Sequence, residues 1–437
     1  MDEKQNFLNK GFDELLAMSS HPSGFKRENA VRRLGMLGNP MAIPCLSVRA
    51  NDWVPQVRAA ARDALSKLLT TGNGEAFVAC VPAIMHLQTC MRDDHTGLLQ
   101  AVQDFLLQEE NVHHLVAGLN SPDARVARLA THLLMERQRM TASELVAAGL
   151  SHKDAVVRSI VIDLLKQLDA DHFSAAVNKA LRDPYMPVRR EAFQQLLARD
   201  AEAGLRVARD MLFDTSASIR EIAIRQLLAA DEPVEQMYAS ALTGDHDRVA
   251  TACCVLWGWA FLSSSSRLEQ VKQRLDSRFP AVRRSALQAL AKLLPNDATP
   301  HLEAALADES PAVCKEVVRL IVRSDDKPGA DRLVAITQAS GLRHVAVACC
   351  RVARHGSKWG WLKFILEAYG AGAPAVTQEM FSAEIDAWEG QFNRSSAQPD
   401  LGSLQEIVSA LRISEARLSS GQIRLLKFTL RSYGASL

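Results

Sequence analysis

Hydrophobic residues recur along this chain at a spacing that predicts short amphipathic helices. In the plainest copy of the motif, Val57 is followed by Ala61 and then by Leu65. Positions 0, +4 and +8 lie on one face of an α-helix, so each copy predicts a helix with one buried side. The motif starts, in stronger or weaker form, at eleven residues: Lys26, Val57, Leu98, Val126, Val157, Val188, Ile219, Val249, Val282, Val313 and Val345.

The even spacing of these starting positions indicates an internal repeat. The steps from 126 to 157, from 157 to 188 and from 188 to 219 are each 31 residues. The step from 57 to 98 is 41 residues, which predicts an insertion around Thr70 to Glu75. A second apolar segment, such as Met41 to Val48, and a turn, such as Asp183-Pro184, precede each copy. Each repeat is therefore predicted to be a helical hairpin, and stacked hairpins share one core as an α-solenoid.

The Asp…Pro…Val-Arg…Ala…Ala-Leu pattern resembles HEAT repeats, specifically the short bacterial HEAT-like type also seen in phycobilisome lyases. The resemblance covers about residues 1–355 and implies an all-α superhelical solenoid of about eleven hairpins. It also implies a structural ladder of ion pairs between neighbouring repeats. The residues assigned to this ladder are Asp52, Asp183, Asp214 and Asp308, with Arg58, Arg158, Arg189, Arg220 and Arg283.

The repeat spacing ends near His355, although helical patterns continue. We therefore divide the chain into a HEAT-repeat solenoid, residues 1–355, and a C-terminal helical cap, residues 356–437. Such a cap closes the exposed core of the last repeat. Within it, Trp359, Trp361 and Trp388 are interpreted as core residues rather than as a ligand cage.

Charge is sorted along the second helices of the hairpins, which line the concave surface in HEAT proteins. Positions +2 and +6 of the motif point away from the core, into the groove. In the first three repeats this row has three acidic residues and one basic residue: Glu28, Asp63, Asp104 and Arg32. From the fourth repeat onward it has seven basic residues and two acidic ones. The candidate partner-binding residues are Arg128, His132, Asp163, Arg190, Gln194, Glu221, Arg225, Arg284, Gln288, Lys315, Arg319 and Arg351.

A stripe of one charge sign steers an oppositely charged partner, so the row predicts an acidic protein surface as the partner. The competing interpretation is a solvated face whose sign is accidental. Lys and Arg number 51 and Asp and Glu number 50, a net charge of +1. This balance argues against a chain that is basic throughout, as in nucleic-acid coats.

Catalytic and cofactor motifs are absent from the sequence. It has no G-x-G-x-x-G, no P-loop, no G-x-S-x-G and no H-E-x-x-H. None of the twelve histidines is followed by Glu, unlike the His-Glu pairs of HEAT-type deoxyhypusine hydroxylases. Asp245-His246-Asp247 lacks the spacing of a calcium loop. We therefore predict no enzyme activity, no metal and no cofactor.

The sequence also favours one compartment. The segment from Met1 to Phe7 lacks the basic and apolar regions of a signal peptide, and no apolar run reaches the ~18 residues of a membrane span. The eight cysteines form no C-x-x-C motif. Buried free thiols are typical of a reducing compartment, which predicts a cytoplasmic protein without a membrane segment.

The function predicted from these features is a non-enzymatic scaffold or inhibitor whose groove grips a partner protein. One specific form is an immunity or antitoxin-type protein that neutralises a toxin. A nucleic-acid-binding protein resembling the HEAT-like alkylpurine DNA glycosylases is the first alternative. A subunit resembling the chromophore lyases is the second.

Overall fold

The computed structural model describes residues 10–242, 248–373, 376–392 and 396–436. In these ranges the chain forms 26 α-helices, named α1 to α26 here, and no β-strand. Helices α1 to α22 alternate as the first and second members of eleven hairpins, and α23 to α26 follow. The prediction of an all-α solenoid of about eleven helical hairpins, followed by further C-terminal helices, is confirmed.

The first helices of the hairpins are mostly one to two turns shorter than the second. They are α1 Phe12–Met18, α3 Ile43–Arg49, α5 Gly74–Met85, α7 Val112–Gly118, α9 Ala142–Gly149, α11 Ala170–Ala180, α13 Ala201–Met211, α15 Val234–Ser240, α17 Leu268–Gln273, α19 Thr299–Ala305 and α21 Ala330–Ser340.

The second helices carry the repeated motif, which in ten of the eleven begins at the third residue of the helix. They are α2 Gly24–Leu37, α4 Pro55–Lys67, α6 Thr96–Leu106, α8 Ala124–Glu136, α10 Ala155–Val161, α12 Met186–Arg199, α14 Ala217–Ala229, α16 Val249–Phe261, α18 Pro280–Leu293, α20 Pro311–Arg323 and α22 Arg343–Arg354. The C-terminal helices are α23 Lys358–Phe364, which continues as a π-helix over Ile365–Gly370, α24 Gln378–Gln391, α25 Leu401–Ser414 and α26 Ser420–Ser432.

Local sequence explains where the second helices begin. Pro55 and Pro311 are the first residues of α4 and α20, where a missing backbone N–H leaves no hydrogen bond unmade. Asp154 is the N-cap of α10 and accepts hydrogen bonds from the first-turn N–H groups. Asp52 instead lies two residues before its helix's N-cap and accepts from the Val54 N–H, so it stabilises the turn rather than the helix end.

The insertion in the third repeat lies later than the spacing predicts. The residues around Thr70 to Glu75 contain only a short 3-10 turn and the start of α5. The extra length is in α5 itself, Gly74–Met85, in a 3-10 turn over His86–Thr89, and in residues 90–95. The prediction for Thr70 to Glu75 is therefore wrong, because the spacing of second helices measures how much chain lies between them and not where the excess is.

The chain divides into two compact units, Met1–Val207 and Ala208–Leu437, and each is described by itself. In the second unit one hydrophobic core extends from Leu287 of the repeats to Leu430 of the last helix. The predicted boundary after residue 355 remains a prediction, since the compact units divide elsewhere.

The expected ion-pair ladder is present within both units. Arg158 donates to Asp183 through Nε and Nη2 at 2.7 and 3.0 Å, and Arg283 donates to Asp308 at 2.8 and 2.8 Å. The spacing of 25 residues in each pair links one repeat to the next. Arg58 departs from the pattern, because its carboxylate partner is Asp93 in the loop of the long third repeat.

Two further arginines show how the ladder varies. Arg27 forms the same bidentate pair with Asp52 at 2.9 and 2.8 Å, although the first repeat is a weak copy of the motif. Arg220 stacks on the ring of Trp257, 4.2 Å from its centroid, while its Nη1 donates to the Asp214 carbonyl. These arginines therefore hold the scaffold together and are not part of a site.

His95 makes stability depend on pH in the first unit. It is buried, and neither ring nitrogen has a hydrogen-bond partner among the described residues. Burial, followed by the charge of Arg62, lowers the pKa of His95 below its ordinary value of 6.5. The folded state therefore binds fewer protons than the unfolded state just below pH 6.5, so stability falls as the pH drops through that range.

We expect the variant His95→Leu to lose this pH dependence between pH 6.5 and 5, because the buried ring no longer has to stay neutral. Urea unfolding at several pH values measures the free energy of unfolding. Hydrogen exchange of α6, measured at the same pH values, localises the effect. His132→Leu, a change at an exposed histidine of the same unit, is the control. An unchanged slope in the His95 variant would contradict the assignment.

Candidate functional site

Most +2 and +6 positions of the second helices are exposed or half-buried, as the motif predicts, but Val255, at +6 of the eighth motif, is buried. Among the twelve candidate residues, Arg128 and Glu221 are half-buried and the other ten are exposed. Asp163 lies on a 3-10 segment, Ile162–Gln167, that continues α10. The candidates up to Gln194 belong to the first unit and those from Glu221 onward belong to the second. Their role in binding remains a prediction.

In the first unit, Arg128 belongs to the scaffold. Its Nε and Nη2 donate to the Asp154 carboxylate at 2.9 and 2.7 Å. This hydrogen bonding lowers the pKa of Asp154 to about 2. The fourth repeat has Ala127 where other repeats have the ladder arginine, and Arg128 takes over that pairing one residue later. His132, Arg190 and the other candidates of this unit point to solvent.

Two arginines of the row in the second unit are neutralised by neighbouring carboxylates. Arg225 pairs with Glu221 one turn earlier on α14. Arg319 donates from Nε to Glu316 at 2.9 Å, and Gln288 of α18 donates to the same carboxylate at 2.9 Å. Glu316 therefore links α18 to α20 and removes the charge of Arg319 from the face.

The pKa of Glu316 reports this pairing. Burial raises the pKa of its carboxyl, but the hydrogen bonds from Arg319 and Gln288, together with the charges of Arg319 and Arg284, outweigh burial. The net pKa lies below its ordinary value, so Glu316 is ionised at neutral pH. The sequence row omitted Glu316 because it lies at position +3 of its repeat.

In the described part of the second unit, three cations of the row have no neighbouring carboxylate that neutralises them. Arg284 of α18, Lys315 of α20 and Arg351 of α22 are exposed, and none has a carboxylate within 4 Å among the residues the structure describes. Helices α18, α20 and α22 pack side by side in order, so these side chains lie on one face of three successive repeats. We call this face of the second unit the cationic face.

The cationic face contains a cleft of about 450 Å³ between α20 and α22. Exposed cations and half-buried or buried apolar side chains line this α20–α22 cleft together. The lining residues are Pro311, Cys314, Lys315, Val318, Arg343, His344, Val347, Ala348 and Arg351.

Sequence reasoning missed Arg343 and His344 of this cleft. Arg343 lies at position −2 of the eleventh motif, four residues before position +2, and therefore on the same helix face. Extending the row backward by one turn would have found it. His344 lies one residue later, in the first turn of α22, where the spacing rule assigns no exposed side chain.

The buried thiols do not form a reactive site. Burial raises the pKa of Cys314 to about 12 and that of Cys349 to about 11, so both are neutral thiols at physiological pH. Among the described residues, no group of three or more His, Cys, Asp or Glu side chains is placed to hold a metal ion. Asp245-His246-Asp247 lies outside the described residues.

The aromatic residues of the C-terminal helices are core residues. Trp359, Trp361 and Trp388 are each less than 5% exposed, with values of 4%, 3% and 2%. This confirms their interpretation as core rather than as a ligand cage.

In the described part of the chain no single helix is long and apolar enough to cross a membrane. Two helical segments, Pro55–Lys67 and Thr71–Thr89, reach that length only together, across a bend of 105°.

Comparisons with known proteins add little to this picture. No family model matches the chain, and no curated protein matches it. A homology model of the full-length AP-3 complex in an intermediate open conformation is 13% identical, covers 88% of this chain and 83% of that chain, and has a TM-score of 0.28.

Two more solved structures are similar at the same level. A crystal structure of an engineered protein is 16% identical over 65% of this chain and 96% of that one, with a TM-score of 0.14. A structure on tubulin recruitment and assembly by microtubule polymerases with tumor overexpressed gene domain arrays is 11% identical over 91% and 99%, with a TM-score of 0.20. Similarities this weak support no conclusion about what this chain binds.

Proposed function

We propose that this chain is a non-enzymatic binding scaffold or inhibitor that grips an acidic surface of a partner protein. The observation that supports the proposal is the cationic face, where Arg284, Lys315 and Arg351 stay exposed and unpaired on three successive second helices. Elsewhere in the row, neighbouring carboxylates neutralise the arginines at 128, 225 and 319.

The physical effect of such a face is on association. Exposed charges interact only weakly when solvated, and a surface pair contributes about 0–1 kcal/mol. A group of like charges on one face, however, raises the rate at which an oppositely charged surface docks and selects its orientation. Because the net charge of the chain is only +1, this attraction is confined to a patch rather than spread over the protein.

The inhibitor form of this proposal is an immunity or antitoxin-type protein that neutralises a toxin in the cytoplasm. Co-expression with a toxic product of a neighbouring gene tests it. Restored growth supports this form, and a neighbourhood without any toxic product contradicts it while leaving the binding scaffold in place.

Reversal of the three free cations is expected to abolish partner binding. The variant Arg284→Glu/Lys315→Glu/Arg351→Glu replaces attraction by repulsion, so we expect an affinity loss of at least roughly tenfold at low salt. Affinity capture from the source organism with the wild-type chain identifies the partner, and calorimetry with the purified partner measures the affinity.

The matched control is Arg278→Glu/Lys292→Glu/Arg323→Glu, the same charge change at exposed residues of the second unit outside the cationic face. Equal losses in both triple variants would mean a general charge effect. If the wild-type chain captures DNA or RNA and the cationic-face variant does not, the partner is a nucleic acid rather than a protein. Unchanged binding in the cationic-face variant would refute the proposed function.

A further inference from the structure

The α20–α22 cleft has a composition that charge steering alone does not require. Lys315 and Arg351 belong to the cationic face, and exposed Arg343 adds a third cation. Between these cations lie the half-buried apolar side chains of Val318 and Val347. A purely electrostatic docking surface has no need of an apolar depression surrounded by cations. This combination fits a ligand that is apolar at its centre and acidic on its flanks.

The volume of the cleft limits the size of the ligand that it can bind. Its volume of about 450 Å³ falls within the ~300–1,000 Å³ that is usual for ligand sites. One aliphatic side chain with the backbone on either side of it fits such a volume. A folded helix, about 10 Å or more in diameter, does not.

Hydrogen bonds, some buried and some half-buried, hold the walls of the cleft. The His344 Nε2 lies 2.9 Å from the Asp308 carbonyl and donates to it, since a carbonyl oxygen only accepts. The Asp308 carboxylate in turn receives both hydrogen bonds from Arg283. The Tyr369 hydroxyl donates to the carbonyl of Ala346 in α22 at 2.9 Å. A cleft held in this way keeps its shape without a ligand, which lowers the entropy loss on binding.

We propose that the α20–α22 cleft binds an acidic, extended segment of the partner protein by taking up one aliphatic side chain between the two helices. Carboxylates on both sides of that side chain pair with Lys315, Arg343 and Arg351. The inference rests on the proposed function and makes it more specific, because it names the segment that the cationic face recognises. Burial of the side chain supplies affinity, and the cations set the position of the segment.

A nucleic acid fits this cleft less well than an acidic peptide does. Strong backbone binding depends on many phosphate contacts, and affinity falls steeply with salt in proportion to their number. The cleft offers three cations, and its apolar lining includes valine and alanine; its one aromatic ring, the His344 imidazole, is hydrogen-bonded to the Asp308 carbonyl.

Labelled peptides test the proposal directly on the full chain. The probe is a fluorescein-labelled peptide of eight residues with one leucine between two pairs of aspartate or glutamate, and its partner peptide has serine in place of the leucine. We expect the leucine peptide to bind roughly tenfold more tightly by fluorescence anisotropy, since burying the aliphatic side chain is the only difference. Equal affinities, or no binding of either peptide, would overturn the proposal.

Two variants separate the apolar from the ionic part of the cleft. Val347→Asn is expected to remove most of the preference for leucine over serine, and Val322→Asn on α20, outside the cleft, is expected to retain it. Lys315→Glu/Arg351→Glu is expected to weaken both peptides, and Lys292→Glu/Arg323→Glu is the matched charge control. Circular dichroism melting confirms that each variant is folded. If Val347→Asn still binds the leucine peptide more tightly than the serine peptide, insertion of the leucine side chain between α20 and α22 is refuted.

The same variants keep this inference distinguishable from the proposed function. With the captured partner, loss of binding in the triple cationic-face variant together with unchanged binding in Val347→Asn refutes the cleft and leaves the scaffold intact. Unchanged binding in both refutes both. A single-stranded oligonucleotide is tested in the same assay. If it binds more tightly than the leucine peptide, and if this binding is lost in Lys315→Glu/Arg351→Glu, the cleft binds phosphate groups rather than an acidic peptide.

Discussion

Replacing Asp52 with alanine should destabilise the first two repeats by about 3–5 kcal/mol, the usual effect of removing one partner of a buried ion pair. Arg27 and Asp52 are each only 2% exposed at the side chain. Without the carboxylate, the Arg27 guanidinium keeps its hydrogen bonds to two carbonyl groups and its contact with the Trp53 ring, but it stays buried without the negative charge of its partner. The Val54 N–H loses its acceptor at the same time.

Hydrogen exchange measured by mass spectrometry localises this effect, since the full chain has two compact units and need not unfold in one step. We expect protection to fall in α2 to α4 and to persist in the second unit. The control is Asp63→Ala on α4, where the ion pair with Lys67 is 56% and 63% exposed and contributes little. Similar protection in both variants would show that the ladder does not stabilise the repeats.

The ladder illustrates how much of the fold can be predicted from the sequence. An arginine at +1 and an aspartate five residues before the next start recur with the repeat, and the resemblance to HEAT repeats implies that such residues pair, as Arg158 and Arg283 do. Arg27 was missed because the first repeat lacks the β-branched residue at its start. The partner of Arg58 was missed because Asp93 lies in the inserted segment, where the spacing is lost.

The candidate site shows the limit of such reasoning. A helical period predicts which side chains face solvent, and ten of the twelve candidate residues are exposed, while Arg128 and Glu221 are half-buried. It does not predict which carboxylate a charged side chain meets, because contacts such as Glu316 with Gln288 join residues 28 apart. The α20–α22 cleft depends on the packing distance between two helices, and no pattern within either helix encodes that distance.

The C-terminal helices can be tested as a cap by the variant Trp388→Ala. The Trp388 ring is 2% exposed and packs 5.2 Å from the ring of Phe392, and its Nε1 donates to the Lys358 carbonyl at 2.8 Å. Removing a buried tryptophan leaves a cavity and typically costs about 3–5 kcal/mol. Because one core joins these helices to the last repeats, we expect protection from hydrogen exchange to fall in α22 as well as in α24.

Phe428→Ala is the matched control for this variant, since Phe428 is also an aromatic residue of the C-terminal helices but is 71% exposed on α26. Its loss leaves no cavity, and we expect a change within about 0.5 kcal/mol. Loss of protection confined to α24 in Trp388→Ala would mean that the C-terminal helices fold independently of the repeats. Loss of protection that reaches α22 would mean that the C-terminal helices support one wall of the α20–α22 cleft. In that case, we expect the leucine peptide to bind more weakly to Trp388→Ala but not to Phe428→Ala.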